Sequence, residues 1–151
     1  MTRQFTVFGK IRGQGRPRAF SRGKFTSVYK AKDDRLYESL IAEAYIHDCG
    51  NPEPFGEVPL ELKVDVEFTV PKAFSKKKRE QATGGWIFPT KKPDADNILK
   101  SIFDALTGVA YPDDKFIIDV RITQRYGKVE KMKVEIRELN SAPPEERLED
   151  E

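Results

Sequence analysis

The chain has 151 residues, 38% of them hydrophobic and 34% charged, with a formal net charge of +2. That length suits one domain with a sizeable core, and no apolar run approaches the ~20 residues of a membrane span. A single cysteine, Cys49, excludes an intrachain disulfide and a cysteine-built zinc site, and a single histidine, His47, leaves a histidine-rich metal centre or a triad resting on one side chain.

Phe5-Thr-Val-Phe-Gly9 reads as a short first strand. The opening Met1-Thr-Arg-Gln-Phe5 has no signal-peptide apolar core, so a cytoplasmic location is expected. Gly13-Gln-Gly-Arg-Pro-Arg18 is a loop, without the Gly-Lys-Ser/Thr that a phosphate-binding P-loop requires. Residues 24–29 suit a second strand. Asp33 or Asp34 caps a helix running to about Asp48, with Tyr37, Leu40, Ile41, Ala44 and Tyr45 as its apolar face. Residues 60–70 alternate strictly. Leu60, Leu62, Val64, Val66, Phe68 and Val70 face one way and Glu61, Lys63, Asp65, Glu67 and Thr69 the other, which predicts a strand with one buried and one wet face. Pro71 ends it. Residues 72–93 form a long basic connection with a short helix around 75–81, and residues 94–106 form a second long helix. Phe116, Ile118, Val120 and Ile122 alternate again, Gly127 marks a turn, and Met132, Val134 and Ile136 make a last strand. These last two strands read as an antiparallel hairpin. The order is β(β)αβαββ, an α+β domain over residues 1–140 with helices packed on a mixed or antiparallel sheet. Residues 141–151 form an acidic tail, expected to be disordered.

The net charge hides an asymmetry. Residues 1–30 carry eight basic side chains and no acid, and residues 72–92 carry seven against Glu80. Without the acidic tail the rest of the chain stands at +6. Arg16, Arg18 and Arg22 in the first cluster, and Lys76, Lys77, Lys78, Arg79, Lys91 and Lys92 in the second, suit the phosphates of a polyanionic partner such as DNA. Trp86 and Phe88 sit among the second cluster. Trp86 is read as packing against its own domain, with stacking on an unpaired base as the alternative.

At 100° per residue, the helix over 94–106 puts Ile98, Leu99, Ile102, Phe103, Ala105 and Leu106 on one broad side. Asp96, Lys100 and Asp104, spaced i, i+4 and i+8, form a polar stripe on the other. Asp94 stands at the helix start, and Asp113 and Asp114 enter the following strand. Each has an ordinary structural role on offer: Asp94 as N-cap, Asp96 as a first-turn acid or partner of Lys100, Asp113-Asp114 as turn residues. Brought together, the acids would repel one another, and a divalent cation would relieve that. Oxygen ligands without His or Cys point to Mg²⁺ or Mn²⁺. Such an ion activates water for attack on a phosphodiester, and a lysine beside it stabilises the charge that develops.

The run from Lys92-Pro-Asp-Ala-Asp-Asn-Ile-Leu-Lys100 through Tyr111-Pro-Asp-Asp114 resembles the signature of the RusA family of Holliday junction resolvases, found in prophages and bacteria. The resemblance is dense over these residues and weaker over the flanking strands. It implies a Mg²⁺-dependent homodimeric endodeoxyribonuclease, with Mn²⁺ as a substitute, that makes paired symmetric nicks across a four-way junction during recombination and repair. It implies metal-binding roles for Asp94, Asp96 and Asp114 and an essential Lys100. Asp113 adjoins the matched position as a further candidate ligand, and Asn97 and Asp104 match as supporting groups. The length and basicity of residues 72–92 and the acidic tail depart from the family pattern. A less selective nuclease for flaps and other branched DNA is the first competing expectation. A non-catalytic DNA-binding protein is the second, although every acid and the lysine that the chemistry needs are present.

Overall fold

Two periodicities set the architecture: a period of two in the strand over 60–70 and a period near 3.6 in the helix after residue 94. The computed structural model describes residues 1–14 and 32–139, together with the backbone of 18–22 and 25–29. The elements in order are β1 (Thr2–Phe8), β2 (Arg18–Arg22), β3 (Phe25–Tyr29), α1 (Lys32–Cys49), β4 (Leu60–Thr69), α2 (Lys76–Thr83), α3 (Ala95–Leu106), a 3₁₀ turn (Asp114–Phe116), β5 (Ile117–Gly127) and β6 (Lys131–Glu138). The expected α+β class with a mixed sheet holds. The acidic tail and Arg16 lie outside the described residues, as do the side chains of Arg18 and Arg22 on β2.

β4 is central. The four-stranded sheet has the order β1-β6-β4-β5, and β2 and β3 pair separately as a hairpin. Leu60, Leu62, Val64, Val66 and Phe68 are each at most 2% exposed, and each contributes roughly 1.5–3 kcal/mol of burial. Met132, Val134 and Ile136 of β6 join them in one core cluster with Phe5 and Val7 of β1. The helices cover this face. α1 presents Tyr37, Ile41 and Tyr45, and α3 presents Ile98, Ile102, Ala105 and Leu106.

Three expectations are corrected. β5 and β6 are not a hairpin. β5 pairs parallel with β4, and β6 pairs antiparallel with β4's other edge. Residues 128–130 step over the end of β4, and the parallel pair requires a crossover, which α2 and α3 supply. Ile118 and Val120 are 66% and 40% exposed rather than buried. β5 is an edge strand, and a register shift at Leu60/Glu61 leaves Ile118 without a cross-strand partner. Leu40 is 53% exposed, because the surface beneath α1 is narrower than its apolar stripe.

Candidate active site

α3 begins where Pro93 and Asp94 leave the long connection. Its burial follows the helical period: Ile98, Ser101, Ile102, Ala105 and Leu106 turn inward, and Asp96, Lys100 and Asp104 stay exposed. Asp94 has the extended backbone of an N-cap (φ −71°, ψ 155°), and its carbonyl accepts from Ile98 N at 3.0 Å, but its carboxylate makes no capping bond. Ser75, at the start of α2, does cap, accepting from Lys78 N at 3.1 Å. Among the described residues, no side-chain hydrogen bond or ion pair engages Asp94, Asp96 or Lys100. The surface pair between Asp96 and Lys100 is not made.

The other end of the stripe is occupied. Asp104 Oδ2 accepts from Gln14 Nε2 at 2.7 Å, and Gln14 N donates to Asn97 O at 3.1 Å, so the segment after β1 is bound to α3 at two points. Ser101, 3% exposed, donates to Asn97 O at 3.3 Å. Asp113 caps the 3₁₀ turn, its Oδ1 accepting from Lys115 N at 3.3 Å. That bond, followed by one with the Asp114 carboxyl, holds Asp113 below the usual carboxylate range. Asp114 moves the opposite way. Partial burial comes first, then the neighbouring Asp113 and Asp104, and together they push it above that range. Tyr111 lies beside this group, 0% exposed, its hydroxyl without a hydrogen-bond partner among the described residues. Burial, and then the charge of Asp114, raise its pKa.

The structure thus brings Asp104, Asp113 and Asp114 into electrostatic contact at one end of α3, and leaves Asp94 and Asp96 without partners at the other. Asp94 and Asp104 are ten residues apart, about 15 Å along the axis. Among the described residues no three of His, Cys, Asp and Glu form a ready-made metal cage. Mg²⁺ does not need one, since it binds through one or two carboxylates and completes its shell with water and substrate phosphates. Asp113 and Asp114 are two such carboxylates, adjacent in sequence.

The basic connection divides in two. Lys78 Nζ lies 4.2 Å from the centre of the Phe74 ring, Lys91 Nζ lies 5.6 Å from that of Phe68, and Arg79 Nη2 donates to Pro71 O at 3.2 Å. Lys78 packs within its own segment, and Lys91 and Arg79 tie the segment to β4 and to Pro71 just after it. Lys76, Lys77 and Lys92 are exposed and engage no described residue. Trp86 is 83% exposed and Phe88 59%, which overturns the expectation that Trp86 packs against its own domain. Sequence reasoning missed Gln14, and gave Lys10 and Arg12 no site role. The available signal was Lys10-Ile11-Arg12, two cations around one apolar residue.

Residues 9–137 match the family described as Endodeoxyribonuclease RusA. The chain is also 36% identical over 143 residues to the "Uncharacterized protein YqaN" of Bacillus subtilis (strain 168), a match covering 91% of this chain and 97% of that protein. The match encloses β4, the crossover, α3 and both groups of acids, and the chain belongs to the RusA family of endodeoxyribonucleases, which act on branched DNA.

Proposed function

We propose that the protein is a Mg²⁺-dependent endodeoxyribonuclease that resolves four-way DNA junctions by paired symmetric nicks. The observation that carries this reading is the lack of structural employment for Asp94, Asp96 and Lys100. Among the described residues, Asp94 stands at the N-cap position without a capping bond and the Asp96–Lys100 pair is not made, so Asp96 keeps only its place as a first-turn acid. The like-charged pair Asp113–Asp114 adds to it.

Asp114 is the stronger ligand candidate of the two neighbours, because Asp113 is already committed to capping the 3₁₀ turn. Asp114, Asp94 and Asp96 would hold the ion, with Asp113 as a further candidate. When bound, the ion supplies an acidified water and a counter-charge for the scissile phosphate. Lys100, exposed one turn from Asp96, would offset negative charge that builds on the phosphate oxygens. Asp104, held by Gln14, keeps the segment after β1 against α3. The exposed Lys76, Lys77 and Lys92 supply sequence-independent phosphate contacts, and Trp86 offers a face on which an unpaired base can stack. Each chain carries one copy of the motif, so paired nicking calls for two chains, and a homodimer is part of the proposal. Location in the cytoplasm of a bacterium, or of a phage-infected one, completes the reading.

The test is a substrate panel of four-way, three-way, flap and linear duplex DNA with and without Mg²⁺. Resolution of the four-way junction into two nicked duplexes, lost in Asp96→Asn and Lys100→Ala while junction binding persists, is the expected result. Unchanged nicking by either variant would sink the site assignment. Equal cutting of flaps would favour the less selective nuclease, and no product on any branched substrate the non-catalytic binder. A monomer by light scattering at micromolar concentration would remove the basis for paired nicking.

A further inference from the structure

Residues 9–14 leave β1 and cross to α3 along a closely fixed path. Gly9 N donates to Glu130 O at 3.0 Å, Ile11 N to Glu130 Oε1 at 3.3 Å, and Gln14 N to Asn97 O at 3.1 Å. Ile11 is 3% exposed and anchors the middle in the core. Gly13 lies directly on the start of α3: a Cβ there would stand 2.7 Å from Pro93 Cβ and 2.9 Å from Asn97 Cβ. With Ile11 turned inward, its neighbours Lys10 and Arg12 are exposed. Together with Lys92 they line an open cleft of about 550 Å³ whose wall continues into Asp94 and Asn97.

The charge of this cleft is strongly one-sided. Lys10 and Lys92 engage no described residue. Arg12 is approached by Asp33 Oδ2 at 3.7 Å, with the two side chains 43% and 67% exposed, and a pair so open to water is worth little. Asp94 is the one acid of the lining among the described residues. Three cations, two of them on this fixed segment, stand against Asp94 at the start of α3 and form a seat for an anion beside that acid.

We propose that this cleft binds the phosphodiester backbone of the DNA strand to be cut. Lys10 and Arg12 are positioning residues on one wall and Lys92 on the other, holding the strand against the start of α3. The proposal rests on the nuclease reading and adds to it a strand-binding site. Arg12 can fork two hydrogen bonds onto one phosphate, whereas the lysines act as point charges. The fixed path of residues 9–14 means the cations need no reordering when DNA arrives.

The experiment is fluorescence anisotropy of a labelled four-way junction without Mg²⁺ across a NaCl series. The proteins are wild type, Lys10→Gln, the double variant Lys10→Gln/Arg12→Gln, the double variant with Arg12→Lys in place of Arg12→Gln, and a control, Lys133→Gln, on the opposite face of the sheet. The slope of log affinity against log salt is expected to fall by about 1 for the single and about 2 for the double variant, with binding on the order of tenfold weaker. Lys at position 12 is expected to restore one unit of slope, which a merely structural role for Arg12 would not predict, and the control to match wild type. A double variant with the wild-type slope, on a protein that still binds and resolves the junction, overturns the cleft and leaves the nuclease reading intact. A wild-type protein that neither binds nor cuts any branched DNA overturns both.

Discussion

The outer face of the sheet and the exposed side of α3 are both crowded with charge, and they treat it in opposite ways. On β4, Glu61 accepts from Arg137 Nε and Nη2 at 3.2 and 3.0 Å, with Lys63 at 3.6 Å. Glu67 has Arg125 at 3.0 Å and Lys131 at 3.9 Å, and Asp65 accepts from Thr123. Each acid meets its partner across the strand register, so closely that Glu61 and Glu67 are 8% and 9% exposed. Along α3 the acids have water, one another, or a loop amide. Paired charges on the sheet close the fold. Charges on α3 that the fold could have paired, and does not, are available for a ligand.

The largest expected effect breaks that second region. Lys100→Ala or Asp96→Asn should lower Mg²⁺-dependent junction cleavage by at least about 10²–10³-fold, while the melting temperature stays within the error of a surface substitution. Asp114→Asn should be as damaging to cleavage, yet in the absence of metal it should not destabilise the protein, because it removes a carboxylate that burial, and then its acidic neighbours, push toward protonation. Mg²⁺ should raise the melting temperature of wild type and not that of Asp114→Asn. A parallel rise in the variant would remove Asp114 from the ligand set.

The sheet face should respond the other way. Glu67→Ala strands Arg125 and Lys131 and should cost about 1–2 kcal/mol by urea denaturation, the charged hydrogen bond being discounted for the exposure of Arg125. Cleavage should survive it. The pH dependence follows from Glu61, whose pKa is lowered chiefly by its hydrogen bonds to Arg137. A carboxylate whose folded-state pKa lies below its unfolded value adds stability above the unfolded pKa and loses it as pH falls through the folded value. Wild type should therefore shed stability more steeply than Glu61→Gln as pH drops below about 4. Equal slopes would mean the Arg137 pairing is not what holds Glu61 ionised.

Much of this contrast was legible in the sequence, and the missing parts share a cause. The period of two in β4 and the 3.6-residue period of α3 are local, and both named the apolar buried faces, although Glu61 and Glu67 on the expected wet face, and Ser101 on α3, are buried as well. Whether two strands are neighbours is not local. β5 and β6 are consecutive and alternate well, so they read as a hairpin, but β4 had hydrogen-bonding edges for both and lies between them. Ile118 and Leu40 failed similarly, since alternation shows which way a side chain points and not whether anything covers it. On α3 the stripe Asp96–Lys100–Asp104 came from spacing alone. That Asp104 answers to Gln14, ninety residues away, and that Lys10 and Arg12 reach the same helix start, depend on a path across the fold that no spacing contains.

The smallest effect separates Asp94 from an ordinary helix cap. Ser75 and Asp94 occupy equivalent backbone positions before α2 and α3, both extended, yet Ser75 accepts a bond from the first turn and Asp94 does not. Ser75→Ala should cost about 1 kcal/mol, as losing a working cap does. Asp94→Ala should cost less than about 0.5 kcal/mol, the range for a surface site without a structural contact, since no capping bond is there to lose. Cleavage should reverse the order, with Ser75→Ala near wild type and Asp94→Ala strongly impaired. If Asp94→Ala proves as destabilising as Ser75→Ala, the carboxylate caps α3 in solution, and its claim to face the ion and the DNA weakens accordingly. A stable and inactive Asp94→Ala would show that the fold keeps this acid at the helix start for the ligand rather than for the helix.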